Sequence, residues 1–128
     1  MVATTDTLWP TVRKALFATA PLNVTGALLF TPPMAFVRGV FGLPEGNPLY
    51  LWLIATWVLI FGLAYLRMAL RNEPDRTFMM VGAAGKGSFA ICFIGAFAAG
   101  AIPPLALGLA LPDAIFAALF AMWLWRTR

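Results

Sequence analysis

Two ionisable side chains stand where an apolar sequence gives them no ready solvent: Lys86 inside GAAGKGSFA and Asp113 inside LALPDAIFAALF. An ammonium and a carboxylate in such surroundings have two uses. They form an ion pair that fixes the packing of two helices, or they line a path for a small molecule or a proton. Composition removes most other chemistry. Histidine is absent, so the usual haem ligand, catalytic-metal ligand and near-neutral pH switch are missing. Cys92 is the single cysteine, so neither an intrachain disulfide nor a Cys-x-x-Cys redox pair forms. With no nucleophile–base pair and no metal constellation visible, the expectation is no enzyme, no catalytic residue, no metal site and no cofactor.

The segment GAAGKGS has the flavour of a phosphate-binding loop, but that motif requires G-x-x-x-x-G-K-[ST], and Gly87 follows Lys86 here. The net charge of +4 and pI near 10 raise the question of nucleic acid. The basic residues are scattered among apolar runs rather than clustered, so no nucleic-acid partner is expected and the charges read as determinants of membrane topology.

The elements that must hold Lys86 and Asp113 are membrane helices. Of 128 residues, 62% are hydrophobic and 11% charged, against about 45–50% and 25% in soluble domains. That length allows about four spans of roughly 20 residues and no soluble domain beside them. The expected architecture is all-α: a single transmembrane domain over residues 1–128, an integral membrane four-helix bundle with spans at about 13–30, 48–67, 77–100 and 105–125. A polar N-terminal tail, residues 1–12, precedes the first. Ala18-Thr19-Ala20 imitates a signal-cleavage site, but the apolar run before it is too short for a cleavable leader. Thr31-Pro32-Pro33 ends the first span, and Phe36, Val37, Val40 and Phe41 fall at helical spacing in a segment too short to cross. A short interfacial helix between spans 1 and 2 is therefore expected. Of the nine Lys and Arg residues, all except Arg38 and Lys86 fall on the side shared by the N-terminus, the second loop and the C-terminus. The positive-inside rule then places both termini in the cytoplasm of a multi-pass inner-membrane protein.

Depth follows from counting at about 1.5 Å per helical residue. Lys86 lies about 14 Å from the cytoplasmic end of its span, Asp113 about 18 Å, Asn23 about 15 Å and Thr56 about 17 Å. In a hydrocarbon core about 30 Å thick these four form one polar layer near the midplane. A lone charge there costs about 2.5–3.5 kcal/mol, so Lys86 and Asp113 are expected to pair across the short Ala101–Pro104 turn. Gly82, Gly85 and Gly87 are the expected close-packing positions beside the lysine. Pro112 withdraws an N–H bond from Gly108; beside a carboxylate this makes either a binding notch or an ordinary kink. In the second loop, Arg71, Glu73, Asp75 and Arg76 read as a solvated turn whose charges pair with one another or with lipid phosphates. Tyr50, Trp52, Tyr65, Trp123 and Trp125 read as interfacial anchors, and Cys92 as a small buried hydrophobe.

The short loop after Ala64-Tyr65-Leu66 with Pro74 and Arg76, Gly85-Lys86 in the third span and Asp113 in the fourth resemble the DoxX-like small bacterial membrane proteins. That resemblance implies a four-helix bundle and an accessory rather than catalytic role beside membrane oxidoreductases. The expected function is an accessory or assembly subunit of a larger inner-membrane complex, in contact with the lipid bilayer and with a lipid, quinone or pigment. The alternative is a small oligomeric transporter or proton-coupled carrier using the Lys86/Asp113 pair.

Overall fold

The computed structural model describes residues 6–128, and those residues fold into helices and short connections. In chain order they are α1 (Trp9–Phe30), a 3-10 turn (Pro32–Met34), α2 (Ala35–Val40), α3 (Pro48–Arg71), α4 (Arg76–Ala98), α5 (Pro104–Leu107), a 3-10 turn (Gly108–Ala110) and α6 (Leu111–Arg126). Of the polar tail expected over residues 1–12, residues 1–5 lie outside the described residues and Trp9 onward is helical.

Side chains at the helix ends explain the boundaries. Asp6 accepts the backbone N–H groups of Leu8 and Trp9 at 3.1 and 3.2 Å, so α1 begins at Trp9 rather than Arg13. It then runs unbroken through Pro21 until Thr31 turns extended before Pro32-Pro33. Asn47 caps α3 through the N–H of Leu49 at 2.9 Å, with Pro48 in the first turn. Asn72, left-handed at φ 55°, carries α3 on to Arg71 before stopping it. Asp75 then starts α4 by accepting the Phe78 N–H at 2.9 Å. Asp75→Ala is expected to lose about 1 kcal/mol of stability and Asp75→Asn much less, since asparagine caps equally well. Thermal unfolding in detergent checks this; equal losses in the two variants would mean that the carboxylate charge, not the cap, is what matters.

Three helical stretches are long and apolar enough to cross a membrane: Pro48–Arg71, Arg76–Ala98 and Pro104–Arg126. Trp9–Phe30 joins them as a fourth when taken with Pro32–Val40, to which it is connected at an 84° bend. Arg38 holds that bend. Only 2% exposed, it donates to the carbonyls of Leu29 and Thr31 at 2.8 and 2.5 Å, neutralising the carbonyl end of α1. Arg38 is thus a cap for the end of α1.

Helix α1 packs along α3, and α4 along α6, making two pairs. The pairs meet most tightly at the end where α1 starts and α6 finishes. There Val12, Leu16, Tyr65, Met79 and Phe120 are all but inaccessible, backed by Met68, Ala69 and Trp123. Polar ties surround this plug. Trp123 Nε1 donates to the Asp6 carboxylate, Trp9 Nε1 to Asn72 Oδ1 at 2.9 Å, and Arg13 Nε to the Ala69 carbonyl at 2.8 Å. Two residues expected to be interfacial anchors, Tyr65 and Trp123, are therefore core: each is ringed by side chains from other helices and is under 5% exposed. Trp125 is 67% exposed, with the Arg128 guanidinium 3.8 Å from its ring centroid. At the opposite end the two pairs touch through a loop contact, where the Pro103 ring fills the space beside Gly42.

Candidate functional site: a cavity with a charged floor

Beyond the plug the helix pairs diverge around a cavity of about 430 Å³. Its walls come from α1, α3, α4 and the α5–α6 region, and most of its lining is aliphatic or aromatic: Leu29, Phe30, Phe61, Phe89, Phe116. Its floor is polar. Lys86 Nζ donates to Asp113 Oδ1 at 2.5 Å and to Asn23 Oδ1 at 3.0 Å, and Asn23 Nδ2 donates on to the Val58 carbonyl at 3.1 Å. The Lys86–Asp113 ion pair is the one found among the described residues, so the pairing expected across the α4–α6 turn is present. The ammonium also lies 5.3 and 5.5 Å from the ring centroids of Tyr65 and Phe116, close enough for cation–π attraction.

The backbone around Asp113 explains how a carboxylate is accommodated. The last span breaks into α5, a 3-10 turn over Gly108–Ala110 and α6, with Pro112 in the first turn of α6 beside Asp113. Asp113 thus lies in the first turn of α6, directly after a stretch where the helix tightens and the Leu111 N–H bonds to the Gly108 carbonyl. Pro112 lines the cavity together with Gly108, Leu109 and Asp113.

The other expected site residues divide. Thr56 does not join the polar layer; one position from the buried Ala55, it turns to the exposed face of α3 and makes no side-chain hydrogen bond. Gly82 is a packing position, since an added Cβ would meet Tyr65 Oη at 2.9 Å. Gly87 faces Ala117 at ordinary contact distance. Gly85 packs against nothing within 4 Å and borders the cavity instead, because the helix pairs have separated at its level. In the second loop the expected acid–arginine pairs are not formed. Asp75 caps α4, and Arg76 reaches the end of α6, donating to the Leu124 and Thr127 carbonyls, both at 3.0 Å. Arg71 and Glu73 are exposed. Cys92 is exposed rather than buried.

Sequence reasoning missed Tyr65, Phe61, Phe89, Phe116 and Trp57 as site residues and Gly62 as a close contact of α3 with α1. A Cβ on Gly62 would lie 2.8 Å from Asn23 Cβ and 3.4 Å from the Ala20 carbonyl. The stripe Gly62, Tyr65, Ala69 at helical spacing carried the signal. Among the described residues no three of the Cys, Asp and Glu side chains gather in a way that would hold a metal ion. No protein-family model matches the chain, and no curated protein or solved structure does either.

Proposed function

We propose that the chain is a non-catalytic integral membrane protein, its four long helices crossing the bilayer as a bundle, that holds a small, mainly apolar molecule in the cavity above Lys86 and Asp113. One observation carries this reading: an apolar cavity within the 300–1,000 Å³ range of ligand sites, with its few polar groups gathered at one place on its floor. The exposed rim residues Leu22, Trp57 and Gly85 favour entry from the lipid side. The bulky plug of Leu16, Tyr65, Met79 and Phe120 beneath the floor favours retention over passage, so a carrier would have to part these side chains in every cycle. An accessory subunit in a larger inner-membrane complex fits a protein that keeps rather than converts its ligand. Exposed Tyr50, Trp52 and Trp57 on α3 and the resemblance to DoxX-like proteins support that placement. The charge asymmetry of the ends supports cytoplasmic termini.

Gly85 supplies the test. A leucine side chain there has room to grow into the cavity and replaces a helix-interior glycine that costs about 0.5–1 kcal/mol relative to alanine. Gly85→Leu is expected to unfold no earlier than the parent while losing at least tenfold in affinity for 1-naphthol, an apolar probe, measured in lipid nanodiscs. Undiminished binding by a folded Gly85→Leu protein would reject the cavity as the binding site.

A further inference from the structure

The floor of the cavity is asymmetric in what it has left to offer. The Lys86 ammonium has three N–H donors; two are spent on Asp113 Oδ1 and Asn23 Oδ1, and the Tyr65 and Phe116 rings flank the nitrogen. Only 6% of its side chain is exposed. The Asn23 amide is engaged through both its oxygen and its nitrogen. Asp113 differs. Its Oδ1 receives the lysine, its Oδ2 receives a hydrogen bond from no described group, and 26% of the side chain is exposed where it lines the cavity. An ionised carboxylate accepts up to about four hydrogen bonds and donates none. The unspent capacity at the floor is therefore acceptor capacity.

Charge narrows the ligand further. Lys86 and Asp113 cancel, so the floor is neutral as a unit. An anionic head would meet the unpartnered carboxylate oxygen, and a cationic head would leave an unbalanced positive charge in an apolar site. A neutral head that donates a hydrogen bond meets neither penalty. Resting on the cavity reading above, we infer that the ligand is a neutral, largely apolar alcohol or phenol whose hydroxyl donates to Asp113 Oδ2, its body lying among Phe61, Phe89, Phe116 and Trp57. Lys86 then acts as a positioning residue, holding the carboxylate in place.

The test compares two probes with the same ring system, 1-naphthol and 1-methoxynaphthalene, whose hydroxyl donor is capped by a methyl group in the ether, on the full-length protein in nanodiscs with empty nanodiscs subtracted. The expected result is at least tenfold tighter binding of the alcohol, the effect of one hydrogen bond to a charged acceptor. That preference should vanish in the triple variant Asn23→Leu/Lys86→Met/Asp113→Leu, which removes Asp113 together with the Asn23 oxygen that loss of Lys86 would otherwise leave free at the floor. Equal binding of the two probes to the unmodified chain, or tighter binding of the ether, overturns the hydroxyl inference while leaving the cavity reading in place. Binding of neither above the empty-nanodisc level overturns both. A preference that survives the triple variant places the acceptor elsewhere and also overturns the inference. The comparison on the unmodified chain decides the donor question even if the triple variant does not fold.

Discussion

Lys86→Met lowers stability by about 3–5 kcal/mol, the expected effect of stranding one member of a buried pair, because the Asp113 carboxyl loses the ammonium 2.5 Å away and is left without a counter-ion in an apolar site. Lys86→Met combined with Asp113→Leu recovers most of that loss, since two apolar side chains replace two ions in an apolar site. Recovery is incomplete, because Asn23 Oδ1 loses the donor it has at 3.0 Å. Thermal unfolding of the two single variants and the double in the same mild detergent reads this directly. A double variant no more stable than the singles would show that the Asn23 link, rather than the ion pair, dominates the layer.

Gly62→Ala is the second large effect, and it acts by volume alone. The new methyl would sit 2.8 Å from Asn23 Cβ and 3.4 Å from the Ala20 carbonyl, atoms fixed to the α1 backbone that cannot swing aside. Helices α1 and α3 must separate, at about 1–3 kcal/mol for an overpacked contact. Gly85→Ala is the matched control, because the same methyl there meets nothing within 4 Å. Helix propensity favours alanine equally at both positions, so the difference between the two variants isolates packing. Gly62→Ala should also weaken probe binding, since moving Asn23 disturbs the floor. Should Gly62→Ala prove as stable as Gly85→Ala, the close α1–α3 crossing would not exist in the membrane.

What was legible in the sequence follows from which signals are local. The turn before Pro48 and the stop at Pro32-Pro33 act within a few residues, so the end of α1 and the start of α3 were legible, whereas α1 begins four residues before Arg13 and α3 runs four residues beyond Arg67. Depth counting placed Asn23, Lys86 and Asp113 on one level because rise per residue is constant. The same counting put Thr56 there too, since height says nothing about which way a side chain turns. Apolar patterning fails in a chain where both the lipid face and the interior are apolar, so Tyr65 and Trp123 looked like anchors until their hydrogen-bond partners and neighbours fixed them inside. The cavity itself was illegible. It exists because two helix pairs part above a plug, a relation between segments far apart in the chain.

The order of the pair along the chain sets a sequence of events during synthesis. Lys86 emerges 27 residues before Asp113. If the helices enter a bilayer in chain order, α4 alone would carry an unmatched ammonium, for which Asn23 is the partner already in place. Once α6 followed through the Pro103-Pro104 turn, the Asp113 carboxylate would cancel that charge, so the counter-ion at the cavity floor would also ease the insertion of the helix that precedes it.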